Sequence, residues 1–468
     1  MRTLRFTLGG IAGALAVCCL VSACHTPRYN EATRTDLPTG ATPPAAPAVV
    51  QDENMLFLVS FSGGGTRAAA MSCSVLEQLG KIPYSYTADG RTIQSNLANE
   101  IDYVSGISGG SFAAAAWALY GDTKGGMAAF RKRFVERDIQ GALLKNILWP
   151  PWRMFWLLSP RYDRIHIAAE LYDRDVFDGR TFESVPPHPE LRINATNLSL
   201  GNRFTFAEDD FALIGSDLSK YPIGFACAAS SAFPVLLSPI TLKNHGTSAT
   251  LNDREYIAAV ANSKRQVEAE LYVRMRKFYN AKDRNRFVHL ADGGLVDNQG
   301  LQAILDEFQS NGRINKRLNG KDPNGNDMPP LQHLVILNVN AGVVGEDDSS
   351  QDEDAPGIAQ VLGYTTVLSM DLLSAKRWVQ IREQVNDTNK RAMDPSNPAL
   401  SEVQAFAIEI NFRNLDEEMR DKAWALPTTF ALDEDQLAVI DESVAVLMQK
   451  GNNKALDTLV ARIQGDGN

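Results

Sequence analysis

A serine flanked by glycines is the first feature of this sequence that could perform covalent chemistry. Residues 104–111 read V-S-G-I-S-G-G-S and contain the pattern G-x-S-x-G, with Ser108 between Gly106 and Gly110. An apolar segment precedes the pattern and an alanine-rich segment follows it, which predicts a strand, a sharp turn and a helix. Such a turn places a serine hydroxyl outside the sheet, near the positive end of the helix, where it can act as a nucleophile. A glycine-rich structural turn is the alternative interpretation.

Three consecutive glycines form a second candidate element. Gly63, Gly64 and Gly65 follow an apolar segment at 55–61 and precede Arg67. Successive glycines expose backbone N–H groups, which an oxyanion hole requires, and Arg67 could support the loop or neutralise a phosphate. A nucleotide-binding loop is the alternative. The segment lacks the Gly-Lys-Ser/Thr ending of a Walker motif, and no dinucleotide fingerprint fits it.

An aspartate after a third apolar segment could supply the base. Asp292 follows the apolar residues 287–291 and precedes Gly293 and Gly294. An aspartate at the carboxyl end of a strand faces the crevice in which α/β folds place their sites. It could therefore accept the Ser108 proton directly. An aspartate that caps a turn is the alternative.

The histidines do not complete a Ser-His-Asp triad. Only His333 follows Asp292, as the chain order of an α/β-hydrolase requires, and it stands at the start of an apolar segment. That position is the wrong end of a strand for the site. His289 precedes Asp292 by three residues, so strand alternation directs it to the opposite face. The sequence therefore favours a Ser108–Asp292 dyad.

The glycine loop, G-x-S-x-G and D-G-G, in this order, resemble the motifs of the patatin-like phospholipase family. Residues 226–234, A-C-A-A-S-S-A-F-P, are similar to that family's helix between nucleophile and aspartate, and the resemblance covers residues from about 56 to 300. It implies a three-layer α/β/α fold with a central mixed, mostly parallel sheet. It also implies hydrolysis of acyl esters, usually of phospholipids, without a metal or cofactor.

The resemblance also implies roles for individual residues. Ser108 would be the nucleophile, Asp292 the base, and the backbone of Gly63–Gly65 the oxyanion hole. The residues expected to support these groups are Arg67, Gly106, Gly110, Gly293 and Gly294.

The glycine loop departs from the family pattern at two positions. Ser62 stands where the motif normally begins with Asp, and Ala68 stands where it often ends in Gly. This form is closer to the calcium-dependent cytosolic phospholipases, which carry Arg in the loop. The departure affects substrate preference more than catalysis. Phospholipids or lysophospholipids are the expected substrates. An esterase or thioesterase acting on other acyl groups, or a non-catalytic lipid-binding lipoprotein, remains as an alternative.

The segments that would position these motifs alternate between strands and helices, which implies a layered α/β fold. Strands are predicted at residues 55–61, 101–105, 191–198, 203–207, 287–291, 333–340 and 403–410. The third and fourth of these form a hairpin around Gly201. The helix after Ser108 is expected to begin at Phe112.

The first 23 residues have the features of a lipoprotein signal peptide. Arg2 and Arg5 precede an apolar run that is too short for a stable transmembrane helix. The run ends in L-V-S-A-C, which resembles a bacterial lipobox with cleavage before Cys24, whose acylation would anchor the chain. An ordinary secretory peptide is the alternative. We therefore expect a lipid-anchored protein of the bacterial envelope, in the outer membrane and facing the periplasm.

Three further regions follow this signal. Residues 24–52 contain the lipidated cysteine and a tether rich in Pro, Ala and Thr. Residues 53–305 are the expected patatin-like catalytic core. Residues 306–468 form a C-terminal extension that completes or flanks the α/β domain.

Charge and composition narrow the partners. The 468 residues carry a formal charge of −10 with no dense block of Lys and Arg. This argues against a nucleic-acid partner and against electrostatic capture by anionic lipid. Residues 147–158 hold three of the six Trp residues and would suit a lipid interface, or else cover the core. Cys73 and Cys227 could pair in an oxidising periplasm or remain as buried thiols.

Overall fold

The computed structural model describes ten strands and the helices between them. The described residues are 29–32, 52–88, 90–121, 125–150, 159, 162–234, 236–246, 266–309, 312–322, 325–343, 357–397 and 400–465. The strands are β1 Met55–Phe61, β2 Pro83–Ala88, β3 Arg91–Asn96, β4 Ile101–Ile107, β5 Glu190–Asn197, β6 Asn202–Phe206, β7 Ile240–Lys243, β8 Phe287–Asp292, β9 His333–Asn340 and β10 Gln404–Asn411.

Eight of these strands form one mixed sheet. Its order is β10-β9-β1-β4-β5-β8-β7, and β6 pairs with β5. The strands from β10 to β5 are parallel, whereas β6, β7 and β8 run antiparallel to the strands that they pair with. β2 and β3 form a separate antiparallel hairpin. The predicted mixed, mostly parallel sheet is therefore confirmed.

Fifteen α-helices lie among the described residues. They are α1 Gly65–Gly80, α2 Gly109–Tyr120, α3 Gly126–Phe130, α4 Ile139–Leu148, α5 Arg164–Asp175, α6 Glu208–Leu213, α7 Ile223–Ser230, α8 Gln266–Asn280, α9 Gly294–Asp297, α10 Leu301–Asp306, α11 Arg313–Leu318, α12 Ile358–Ala392, α13 Glu417–Trp424, α14 Glu434–Met448 and α15 Lys454–Gly465. A π-helical turn at Arg131–Val135 and 3₁₀ turns at Phe182–Ser184 and Phe412–Asn414 complete the helical segments.

The central strand β1 shows why the fold has three layers. All seven of its residues are buried, as expected for a parallel strand covered on both faces. Phe57 and Val59 pack in one hydrophobic cluster with side chains of α1, α2 and α7. Leu56 and Leu58 pack in a second cluster with α10 and the C-terminal half of α12. Alternate side chains therefore hold helices on opposite faces of the sheet, and the predicted three-layer fold is confirmed.

The C-terminal part of the chain contributes to the same sheet. β9 pairs with the whole length of β1, and β10 pairs with β9; both pairings are parallel. The loops that follow β9 and β10 therefore lie at the same sheet edge as the glycine loop after β1. Within the described residues, no helix is both long enough and apolar enough to span a bilayer.

Candidate active site

The glycine loop and the G-x-S-x-G segment lie side by side because their strands are parallel neighbours. Phe61, the last residue of β1, pairs with Gly106 of β4. The turn after each strand therefore emerges at the same edge of the sheet. A Cβ atom built on Gly63 would lie 3.4 Å from the Cβ atom of Ser108. The structure thus brings together the two motifs that the sequence assigned to nucleophile and oxyanion hole.

Asp292 reaches this edge by a different route from the one inferred from the sequence. The rule for parallel α/β sheets placed it at the carboxyl edge, but β8 is antiparallel to β5. Asp292 pairs with Ala195, and the preceding residue of β5, Asn194, pairs with Ile107 of β4. The end of β8 therefore stops beside the end of β4, and Asp292 still meets Ser108.

Ser108 has the backbone conformation of a strained turn. Its φ is 48° and its ψ is −124°, a region that costs a residue other than glycine about 1–3 kcal/mol. Its amide donates to Ser230 Oγ at 2.9 Å, and its carbonyl accepts bonds from the amide and the hydroxyl of Ser111 at 2.9 and 2.6 Å. These bonds hold the serine in the sharp strand–helix turn that the sequence predicts.

The glycines around Ser108 are required by close packing. A Cβ atom on Gly106 would lie 2.6 Å from the Cα atom of Ser111, and one on Gly110 would lie 2.5 Å from the Ser62 carbonyl oxygen. A Cβ atom on Gly109 would collide with the carbonyl of Gly65. α2 begins at Gly109 rather than at the predicted Phe112, because Gly109 and Gly110 belong to its first turn.

The Asp292 carboxylate is buried, and its surroundings shift its pKa. The residue is 4% exposed, and burial raises the pKa of its side chain to about 6. Hydrogen bonds from the Ser108 side chain and the Gly294 amide lower this pKa. The Gly294 amide donates to Asp292 Oδ1 at 2.7 Å. Asp292 is thus ionised at neutral pH and is a stronger base than an ordinary aspartate.

Gly293 and Gly294 allow the base loop to close over its neighbours. A Cβ atom on Gly293 would collide with the Asn194 carbonyl, and one on Gly294 would lie 2.7 Å from Met370 Cε. The D-G-G motif therefore brings the aspartate against β5 on one side and against α12 on the other.

The glycine loop offers two open amides rather than three. The Gly63 amide donates to the Asn298 carbonyl at 2.8 Å, which joins the loop to the segment after Asp292. Among the residues that the structure describes, no acceptor is bonded to the amides of Gly64 and Gly65. Both have positive φ, 139° and 60°, which only glycine adopts without strain. The geometry therefore narrows the candidate oxyanion donors to Gly64 and Gly65.

The family model described as "Patatin-like phospholipase" matches residues 59–305, more than half of the chain. The chain belongs to the patatin-like phospholipase family. Membership of this family supports lipid acyl hydrolase activity in general terms. The expectation drawn from the ordered motifs is confirmed at this level.

The solved structures to which this chain is similar include a cytosolic phospholipase. Human GIVD cytosolic phospholipase A2 is 12% identical, with a TM-score of 0.42, and the similarity covers 88% of this chain and 62% of that chain. The present chain thus spans less than two thirds of that protein's chain. No curated protein matches the sequence.

Arg67 has a structural role at the start of α1 in this patatin-like chain. The residue is 3% exposed, and burial lowers its pKa to about 10. Its Nε and Nη1 atoms donate to the carbonyls of Ala341 and Leu426 at 3.0 and 2.7 Å. Its Nη2 atom lies 3.3 Å from the position of a Cβ atom on Gly64. Arg67 therefore ties the glycine loop to loops from the C-terminal region, and phosphate binding by it stays a prediction.

The histidines lie away from the Ser108–Asp292 pair. His289 is exposed on β8, and its Nδ1 atom lies 3.0 Å from Thr241 Oγ1. His333 starts β9 and pairs with Met55, at the end of β1 opposite the glycine loop. Both positions agree with the interpretation that disfavoured a triad.

Three functional neighbours were not identified from the sequence. Ser230 accepts from the Ser108 amide, Asn298 accepts from the Gly63 amide, and Thr196 Oγ1 donates to the Asp292 carbonyl at 2.8 Å. Ser230 lies in the A-C-A-A-S-S stretch that carried the family resemblance, and this was the available signal. No local sequence pattern identifies Thr196 or Asn298, because the residues that they bond to are far away in the sequence.

Several sequence expectations concern other parts of the chain. Cys73 and Cys227 are both buried and free; burial raises the pKa of Cys73 to about 12. Trp149 is 67% exposed. Cys24 and residues 151–158 of the tryptophan-rich segment lie outside the described residues.

Proposed function

We propose that this protein is a serine acyl hydrolase that cleaves acyl ester bonds of phospholipids or lysophospholipids through a Ser108–Asp292 dyad. The observation that carries the proposal is that Ser108 and the buried Asp292 meet where β4 and β8 end, joined through Asn194 and Ala195 of β5. The Ser108 side chain lowers the pKa of Asp292 there as a hydrogen-bond donor. The strained backbone of Ser108 supports the same role, because strain of this kind clusters at functional sites.

In the acylation step, Ser108 Oγ attacks the ester carbonyl carbon while its proton passes to Asp292. The carbonyl oxygen, on which negative charge develops, accepts hydrogen bonds from the amides of Gly64 and Gly65. Such donors contribute about 3–4 kcal/mol each in measured oxyanion holes. The C–O bond of the ester then breaks, and Asp292 returns the proton to the leaving alcohol. The product is an acyl ester of Ser108.

Deacylation repeats these steps with water. Asp292 takes a proton from the water molecule as its oxygen attacks the acyl carbon. The tetrahedral intermediate collapses with cleavage of the bond to Ser108 Oγ, which takes the proton from Asp292. The fatty acid is released and the dyad is restored. Each step uses only the chain's own residues and water.

Apolar side chains exposed on α12 favour a lipid substrate. Met370 of α12 contacts Gly294, and the same helix exposes Leu368 and Leu372, which are 69% and 68% exposed. Val361 and Val379 extend this face at helical spacing. This face lies opposite Met370 on the helix, since two residues correspond to about 200°. It gives the protein apolar surface for contact with a lipid bilayer. An esterase or thioesterase acting on other acyl groups is the second candidate, because the dyad itself recognises only an acyl carbonyl.

The lipid-facing role of α12 can be tested without touching the dyad. We expect a variant with Leu368→Glu and Leu372→Glu to lose about tenfold or more of its activity on phosphatidylcholine vesicles while it keeps its activity on a soluble nitrophenyl ester. Met393→Glu, at an 83% exposed position beyond α12, is the matched control. Equal loss on both substrates would argue against a lipid-contacting face.

A non-catalytic lipid-binding lipoprotein is the rival from another class. Covalent labelling with a fluorophosphonate separates the two, because only an activated serine reacts. Lipid profiling of cells that carry wild type or Ser108→Ala would then identify the substrate. A profile that does not differ between the two strains would argue against a lipid ester as substrate.

We also propose that acylation of Cys24 anchors the protein in the outer membrane, facing the periplasm. His25 follows Cys24, whereas Asp at this position resembles the inner-membrane retention signal. Mass spectrometry of the mature N-terminus and membrane fractionation test this proposal. An unmodified Cys24, or cleavage at another position, would contradict it.

A further inference from the structure

We infer that Ser230 is a positioning residue that sets the alignment of Ser108 with Asp292. The inference rests on the proposed dyad and assigns to Ser230 a role that acts through Ser108 rather than through the substrate. Ser230 is the last residue of α7, and its side chain is fully buried.

The Ser230 hydroxyl occupies a central position in a chain of hydrogen bonds. Its Oγ atom accepts the Ser108 amide at 2.9 Å and donates to the Asn194 carbonyl at 2.6 Å. Because donation to Asn194 fixes the hydroxyl proton, the lone pairs of Oγ point toward the Ser108 amide. The carbonyl of the same residue accepts the Gly293 amide at 3.1 Å. One residue therefore contacts the nucleophile and the residue that follows the base.

The two catalytic residues depend on the Ser230 hydroxyl to different extents. The Asp292 amide donates to the Ala232 carbonyl at 3.0 Å, and its carbonyl accepts from Thr196 Oγ1 at 2.8 Å. Neither bond uses the Ser230 side chain. The Ser108 amide, by contrast, has Ser230 Oγ as its acceptor. Removal of the hydroxyl should therefore displace Ser108 and leave Asp292 in place.

The backbone of Ser108 makes this single bond important. At φ 48° the residue is held away from its preferred conformations, and a buried amide without an acceptor would favour rotation of the peptide. Rotation would move the hydroxyl away from the carboxylate. A dyad has no histidine side chain that could follow such a shift by changing its rotamer. Reaction rate is therefore sensitive to small displacements of Ser108 Oγ.

The neighbouring serine provides a matched control. Ser231 is also buried, but its Oγ atom donates to the Cys227 and Ala228 carbonyls of its own helix at 2.8 and 3.3 Å. Ser231→Ala and Ser230→Ala each remove one serine hydroxyl, from adjacent positions. Only the second change removes a contact to the nucleophile.

The test compares steady-state kinetics of the full chain on a soluble nitrophenyl ester. We expect Ser230→Ala to lower kcat by about 10- to 100-fold with KM within about twofold, since a misplaced reacting group costs rate rather than binding. The rate of fluorophosphonate labelling should fall in parallel. Ser231→Ala should change kcat by less than about threefold. Ser230→Cys, which keeps the shape but accepts hydrogen bonds weakly, should lose activity in the same direction.

Several outcomes would overturn the inference. A folded Ser230→Ala protein with kcat within about threefold of wild type would do so, as would an equal loss in Ser231→Ala. If Ser230→Ala does not fold, the Cys variant decides, because full activity in it would show that the hydroxyl is dispensable. Ser108→Ala separates this result from the dyad. An inactive Ser108→Ala together with a normal Ser230→Ala refutes only the positioning role, whereas an active Ser108→Ala refutes the dyad itself.

Discussion

The turn at Ser108 is formed by residues near it in the sequence and is fixed by one distant bond to Ser230, whereas the backbone of Asp292 is held by residues far from it. The carbonyl of Ser108 binds Ser111, three positions away. The backbone of Asp292 binds Thr196 and Ala232, which lie on other elements. A short motif can therefore encode the turn of the nucleophile half, while Ser230 adds one long-range bond to it. The base half is an assembly that depends on the register of an antiparallel strand.

This difference predicts how substitutions should behave. Changes in the nucleophile half should act through steric conflict within the turn. Changes at the base should act through charge and burial, because residues of other elements hold the backbone of Asp292 in place.

The largest expected effect comes from removal of either group of the proposed dyad. Ser108→Ala and Asp292→Asn should each abolish turnover of a soluble nitrophenyl ester, because the proposed mechanism uses Ser108 as its nucleophile and Asp292 as its base. Steady-state assays with protein whose fold is verified by circular dichroism check this. Near-normal turnover by either variant would contradict the dyad.

Asp292→Asn should also change the stability of the protein, because it removes a carboxyl group whose pKa is raised. The pKa of Asp292 is raised from 3.8 to about 6 in the folded state, so the folded state binds its proton more tightly. The resulting stability is present below about pH 4 and is lost as the pH rises through about 6. Near pH 8, Asp292→Asn should therefore unfold at a higher temperature than wild type, with a gain of at most about 3 kcal/mol. Calorimetry at pH 8 measures the shift, and a lower melting temperature would contradict it.

The next largest effect tests the packing of the nucleophile half. Gly109→Ala places a methyl group against the Gly65 carbonyl, so either the turn or the glycine loop must move. We expect a loss of kcat/KM of about 100-fold, the scale of a displacement of roughly 1 Å at a reacting group. Gly125→Ala is the control for a glycine with nothing within 4 Å of the added carbon, although its φ is 84°. Equal activity of Gly109→Ala and wild type would show that the contact is not required.

A moderate effect is expected from pH. The base must be ionised, so kcat/KM should fall below about pH 6, approaching tenfold for each unit of pH. An aspartate with an ordinary pKa would give the same decline near pH 4. The pH profile of kcat/KM on the soluble ester distinguishes these cases, and full activity at pH 5 would show that the pKa of the base is not raised.

The smallest effect is expected at the histidines. His289→Ala and His333→Ala should each keep activity within about tenfold of wild type, a barrier change of about 1.4 kcal/mol. Activity must be normalised to folded protein, because His333 is buried. A loss of more than about a thousandfold in either folded variant would indicate a triad.

The contrast between the two halves also explains what the sequence could predict. β1 and β9 have the predicted bounds, because both are nearly continuous apolar runs between polar segments. The turn at Ser108 was identified from Gly106 and Gly110. These features depend on residues within a few positions of each other.

Features that depend on distant partners were missed or misplaced. The strands β2, β3 and β7 were not predicted, since β7 has only four residues and β2 and β3 are mostly polar. The antiparallel direction of β8 and the bond between the Gly63 amide and Asn298 have no local signature. The sequence therefore predicted that Asp292 lies near Ser108, but from a rule for parallel strands that does not apply to β8.

Detection of the covalent intermediate tests the central claim most directly. The protein is mixed with a nitrophenyl ester, quenched in acid within the first turnover, and digested for mass spectrometry. The Ser108–Asp292 account predicts an acyl group on Ser108 in wild type and its absence in Asp292→Asn under the same conditions. An acyl group on another residue, or acylation of Asp292→Asn at the wild-type rate, would contradict it.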